Sequence, residues 1–159
     1  MRETGPLAIN EDGSLTQLQI ELVESSGPVS PRYQYTIHVR LYVSETAVWL
    51  DYNDSRKSGN GKPVRFLREI GIADVKKIVR KLERLDFVKS NTGQDFTRDV
   101  RSRVGISFNW LTIRIDPKTD LRIDYLLADF ERDDFADYAK AIDIIKNLVK
   151  MKPGKRKVL

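Results

Sequence analysis

The sequence contains no cysteine, one histidine and only two methionines. Without thiols there is no disulfide framework, no cysteine-bound zinc and no cysteine nucleophile. With His38 as the single imidazole, any Ser-His-Asp arrangement would have to run through it, and no Gly-x-Ser-x-Gly elbow accompanies it. Long apolar runs are also missing. The longest are short pieces such as Ala47 to Leu50, which excludes a membrane-spanning helix. Met1 to Pro6 lack the apolar core of a signal peptide. No phosphate-cradling loop occurs either. Gly59-Asn60-Gly61-Lys62-Pro63 has glycine and lysine, but not the spacing or the Ser/Thr-headed helix that such a loop requires. These absences lead us to expect a soluble, cytoplasmic protein that is not an enzyme and needs no cofactor or metal.

What remains is a globular composition of 159 residues, 40% hydrophobic and 32% charged. A chain of that length forms one domain, or at most two small ones, and can bury roughly two thirds of its unfolded surface, so it needs no covalent staple. The net charge of +5 conceals a segregation along the chain. Residues 1–55 sum to −5, residues 56–103 to +8, residues 104–149 to −3 and residues 150–159 to +5. A binding partner meets such local potentials and not their average.

The pattern divides into a flexible leader (1–13), a single domain (14–150) and a basic tail (151–159). From Leu15, the residues Leu18, Ile20 and Leu22 alternate with Gln17, Gln19 and Glu21, the signature of a half-buried strand. Ser25 to Pro31 is a loop by its Gly and Pro content. Tyr35, Ile37, Val39, Leu41 and Val43 then alternate with Gln34, Thr36, His38, Arg40 and Tyr42, and a tight turn at Ser44-Glu45 leads to a strand over Thr46 to Tyr52. A short extended piece, Val64 to Glu69, precedes a helix from Ala73 to Asp86, in which Val75, Ile78, Val79, Leu82 and Leu85 recur at three- and four-residue steps. Residues 88–103 read as an irregular loop anchored by Phe96 and Val100. Two strands, Ile106 to Asp116 and Leu121 to Leu127, flank a turn at Pro117-Lys118-Thr119. The last helix runs from about Asp133 to Lys150, with Phe135, Ala139, Ile142, Ile145 and Val149 inward. The order β-β-β-(β)-α-β-β-α predicts an α+β fold: an antiparallel sheet with its helices packed on one face.

The helix 73–86 carries the strongest surface signal. Lys76, Arg80 and Arg84 lie four apart on one strip, with Lys77 and Lys81 beside them and only Glu83 opposing. Arg98, Arg101 and Arg103 could extend that patch. On the polar side of the second strand, His38, Arg40 and Tyr42 mix cation and aromatic, a combination able to stack unpaired bases. Trp49, in the next strand, is expected in the core. Asp129, Glu131, Asp133, Asp134 and Asp137 open the last helix, where capping and the helix dipole account for them better than a divalent metal does. The reading is a binding module whose partner is nucleic acid or an acidic protein surface, engaged through Lys76, Lys77, Arg80, Lys81 and Arg84 with Arg40 and Tyr42. The tail, Lys150 to Lys157, would add nonspecific attraction.

Leu111-Thr112-Ile113-Arg114-Ile115-Asp116, followed by Leu121-Arg122-Ile123-Asp124-Tyr125 and Asp129, resembles the C-terminal half of the YezG-like bacterial immunity proteins. The resemblance covers about 20 residues, a hairpin that amphipathic strands in general can approach. It implies an α+β domain that neutralises a partner toxin, often a nuclease, by direct protein–protein binding. The alternative reading is therefore an immunity-type or other inhibitor protein that uses the acidic segments, in which Asp116, Asp120, Asp124 and Asp129 would matter and the basic helix would be incidental. The chain departs from that pattern in lacking an N-terminal helix and in being basic.

Overall fold

The computed structural model describes residue 7 and residues 15–26, 34–56, 62–97 and 109–151. Within them the chain is α+β: a seven-stranded, mostly antiparallel sheet with its helices on one face. The strands are β1 (Gln19–Ser25), β2 (Thr36–Ser44), β3 (Ala47–Asp54), β4 (Val64–Ile70), β5 (Gln94–Asp95), β6 (Asn109–Asp116) and β7 (Thr119–Tyr125). The helices are α1 (Ile72–Glu83), α2 (Asp86–Lys89) and α3 (Ala136–Lys146), the last flanked by 3-10 turns at Asp133–Phe135 and Asn147–Lys150.

The sheet order is β4-β3-β2-β1-β6-β7-β5. Strands β1 to β4 form a meander and β6-β7 a hairpin, and β1 joins the two by pairing β2 on one side and β6 on the other. The exception to antiparallel pairing is β5, two residues parallel to β7, which fall in the stretch expected to be a loop. Asn91, at φ 53°, brings the chain to this edge. Its side chain accepts from the Asp120 N–H at 2.9 Å and donates to the Lys118 carbonyl at 2.9 Å. Gly93 then passes so close to β7 that a Cβ would lie 2.6 Å from the Arg122 carbonyl oxygen.

Alternation settles the two faces. Ile20 and Leu22, Ile37 to Val43 in steps of two, Val48 and Leu50, Leu111 to Ile115 and Leu121 to Tyr125 in steps of two form the buried face. Val75, Val79 and Leu82 of α1 and Ile142 and Ile145 of α3 close over it. The expected helix 73–86 is in fact two, because Leu85 takes an extended backbone and restarts the chain as α2. Phe96, Phe135 and Tyr138 form an aromatic group, with ring centroids 5.2 to 5.6 Å apart, that seats the start of α3. Leu7, within the segment read as a flexible leader, is 1% exposed and belongs to the core. The rest of that leader, Arg98, Arg101 and Arg103, and the tail from Lys152 lie outside the described residues.

The most deeply buried charged group lies on the covered face. Glu24 follows Ile20 and Leu22 in phase along β1 and is 1% exposed. Its carboxylate accepts from the Tyr125 hydroxyl at 2.7 Å and the Tyr35 hydroxyl at 3.3 Å, and it pairs with Lys146 Nζ at 2.8 Å. Burial first, then the charge of Glu24, pushes the Tyr35 hydroxyl up to about 12 and raises that of Tyr125 further. Both therefore remain donors at neutral pH. The end of α3 is also held by Tyr52, whose hydroxyl donates to the Lys146 carbonyl at 2.9 Å.

Removing one partner of such a pair strands the other in a low-dielectric site. Lys146→Met is expected to lower unfolding free energy by about 2–3 kcal/mol, less than the roughly 3–5 typical of a fully enclosed pair because the lysine keeps some solvent contact. Adding Glu24→Gln should recover part of the loss, since a neutral amide still accepts from the tyrosines. Urea denaturation of the two variants measures both effects.

Candidate nucleic-acid interface

Helix α1 starts directly after β4, with Gly71 between them and Asp74 in its first turn near the positive end of the dipole. Since Val75, Val79 and Leu82 face the sheet, helical geometry turns the cations outward. Lys77, Arg80, Lys81 and Arg84 are exposed. Lys76 lies at the margin of the strip, partly buried, and has an interaction of its own. Among the described residues, no carboxylate lies within ion-pair distance of the four exposed cations. Glu83 is the one anion among them. Its carboxyl is raised above the usual range by partial burial first and by the nearby charge of Asp116 second, with Arg80 acting in the opposite direction.

Arg40 and Tyr42 stand elsewhere. They alternate with the buried residues of β2 and therefore occupy the open face of the sheet, opposite the helical layer that carries α1. The structure brings together the five α1 residues, and separately Arg40 with Tyr42, but does not bring the two groups to one surface. The Arg40 guanidinium carbon sits 4.3 Å from the Tyr42 ring centroid, and its Nε is shut away from solvent with no hydrogen-bond partner. Trp49, expected in the core, is half-exposed on this open face directly across from Tyr42, because its phase in β3 opposes that of Val48 and Leu50. Trp110 is on the same face, with Arg122 5.1 Å from its ring. His38 is also there, its Nε2 2.8 Å from Glu21.

The open face is mixed in charge. Arg114 pairs with Asp120 and Arg122 with Asp124, both at 2.9 Å. The acidic residues that the immunity-type reading would use are engaged within the chain. Besides those two pairs, Asp116 accepts the Lys118 and Thr119 N–H groups of the hairpin turn, and Asp129 accepts the Leu126 N–H at 2.7 Å. Asp129 thus closes the 3-10 turn ahead of α3. The capping expected of its neighbours takes another form: α3 has no side-chain N-cap, and Asp134 instead makes a two-pronged pair with Arg132. Asp86, Asp133, Asp134 and Asp137 line a cleft of about 290 Å³ with Phe87 and Tyr138. Among the described residues, no three His, Asp or Glu side chains are arranged to hold a metal ion, and no helix is long and apolar enough to cross a membrane.

Sequence reasoning missed Glu24 and Lys146. The signal for Glu24 was present, since the alternation that buries Leu18, Ile20 and Leu22 continues to position 24. For Lys146, no local pattern distinguishes it from other lysines near helix ends. In comparisons with protein-family models, curated proteins and solved structures, the chain matches none.

The two tryptophans, both on the open face, provide a direct check on the assignment of faces. Native-state emission should be quenched by acrylamide to a substantial fraction of the value in urea. Emission shielded from acrylamide would place Trp49 in the core after all.

Proposed function

We propose that this protein is a non-enzymatic binding module that engages the phosphate backbone of nucleic acid through the outer face of α1. One observation carries the reading: Lys77, Arg80, Lys81 and Arg84 form an exposed strip with no carboxylate in ion-pair range among the described residues. Like charges at three- and four-residue spacing disfavour a helix by a few tenths of a kcal/mol per pair, and an anionic partner relieves that repulsion. From residue 77 to residue 84 the strip extends about 10 Å at 1.5 Å per residue. One DNA strand passes about three phosphates in that distance at its 3.4 Å spacing, so three or four contacts can form together. Contacts of this type position a protein on a backbone and carry no sequence information by themselves. The immunity-type reading is less well supported, because the carboxylates it needs are already held by Arg114, Arg122, the hairpin turn and the Leu126 N–H.

Fluorescence anisotropy with labelled single- and double-stranded oligonucleotides tests the reading. Arg80→Glu with Arg84→Glu should weaken binding by tenfold or more while leaving thermal stability near that of the wild type. Tyr42→Ala, on the opposite surface, should leave affinity unchanged, whereas base stacking there would cost about 1–3 kcal/mol for single strands. No measurable affinity for either form at low salt would defeat the proposal.

Salt dependence supplies a second test. Each neutralised phosphate releases condensed counterions, so log affinity should fall linearly with log salt. Three or four contacts at about 0.7 each give a slope of about −2 to −3 for single strands. A flat response would mean that the helix is merely solvated.

A further inference from the structure

The two edges of the sheet are treated differently. On one side, β5 presents only two residues, a short edge of the kind that discourages further pairing. On the other side, β4 is seven residues long and contains no proline, and Leu67 at its centre is 59% exposed. Among the described strands, β4 is hydrogen-bonded only to β3. Its outer row of backbone groups is therefore a template for another strand.

The sequence of β4, Val64-Arg65-Phe66-Leu67-Arg68-Glu69-Ile70, points to the occupant. A two-fold axis perpendicular to a continuous antiparallel sheet must pass midway between one residue and its own copy, so that facing side chains remain on the same face. Through Leu67 it sets Arg65 of each copy opposite Glu69 of the other, Leu67 opposite Leu67, Val64 opposite Ile70 and Phe66 opposite Arg68. Arg65, Leu67 and Glu69 lie on the open face and the other four on the covered face, as the pairing of β4 with β3 requires. An axis through Phe66 would set Arg65 against Leu67 and Val64 against Arg68. An axis through Arg68 would set two arginines against each other and Glu69 against Leu67. Only the Leu67 axis pairs opposite charges and covers the exposed leucine. Arg68 already lies 3.8 Å over the Phe66 ring within one chain, so the Phe66–Arg68 facing repeats a contact the strand makes with itself.

We infer that β4 is a self-association edge: two copies of this chain pair antiparallel through β4, about an axis at Leu67, into one continuous sheet. The axis is perpendicular to the sheet, so the helical layers of both copies lie on the same side. Each α1 begins two residues after β4, and the dimer therefore brings both basic helices to one surface. The inference does not depend on what those helices bind. A strand pair is a small interface, and association should shift with concentration in the micromolar range and above.

The absence of cysteine makes the test clean. Facing residues in an antiparallel pair have Cα atoms about 4.5–5.5 Å apart, within the roughly 4.4–6.8 Å that a disulfide spans. Leu67→Cys should therefore oxidise to a covalent dimer. Arg65→Cys should not, because the two positions 65 lie about 13 Å apart along the strands. Light scattering after size exclusion should find that Arg65→Glu weakens the wild-type dimer by roughly tenfold, and that adding Glu69→Arg to the same chain restores it with the charges exchanged. Failure of the double variant to restore association, or Leu67→Cys crosslinking no faster than Arg65→Cys, would overturn the proposal. So would a chain that stays monomeric up to near-millimolar concentration, including one whose edge captures a foreign strand instead.

Discussion

Strand β1 is the constraint on which the architecture rests. It is the sole link in the sheet between the β2-β3-β4 meander and the β6-β7 hairpin, so its register with both neighbours determines which residues of the whole sheet face the helices. A slip of one residue would exchange its faces, setting Glu21 and Val23 inward and Leu22 outward. The end of the strand is secured against such a slip. The Ser25 N–H donates to the Asn109 side chain at 2.8 Å, and Glu24 is held by two tyrosine hydroxyls and Lys146. Those partners come from β7, the start of β2 and the end of α3, so one carboxylate ties four elements to a single arrangement. An apolar residue at position 24 could pack as well, but it would lack the directional demands that distinguish this register from its neighbours.

The charge distribution follows from the same two-faced sheet. On the covered face Glu24 is matched by Lys146 and Asp54 by Arg56, while Arg68 donates to the Met151 carbonyl. The exposed cations of α1 lie on its outer surface, and on the open face Arg114 pairs with Asp120 directly across and Arg122 with Asp124 two residues along its strand. On the helical side, Lys77, Arg80, Lys81 and Arg84 form an exposed run of like charge. On the open face Tyr42, Trp49 and Trp110 are each half-exposed. These are distinct kinds of surface, separated by the thickness of the sheet, and a ligand that meets one does not meet the other.

Much of the fold was legible from periodicity alone. The alternations through Leu18-Ile20-Leu22 and Ile37-Val39-Leu41-Val43 gave β1 and β2 their inward faces, and the three- and four-residue steps of Val75, Val79 and Leu82 gave α1 its own. These patterns are local consequences of burying one side of a regular element, so they persist without knowledge of neighbours. The cations of α1 were legible for the same reason, being the complement of its buried stripe.

Other features depended on the company each residue keeps. Trp49 looks like core by composition, yet its phase with Val48 and Leu50 sends it outward. The break between α1 and α2 comes from an extended Leu85 within an unbroken helical pattern, where tertiary burial of Phe87 and Val88 overrides periodicity. The placement of β5 required Gly93 to meet Arg122 of a strand about thirty residues away, and no window of sequence contains both. The sequence by itself determined which side of each element is apolar, because that follows from the geometry of a single helix or strand. Only the tertiary structure decided which surfaces those elements share. Strand order and register are set by contacts between residues far apart in the chain, and so Arg40 and Tyr42 are on one side of the sheet while Arg80 and Arg84 are on the other.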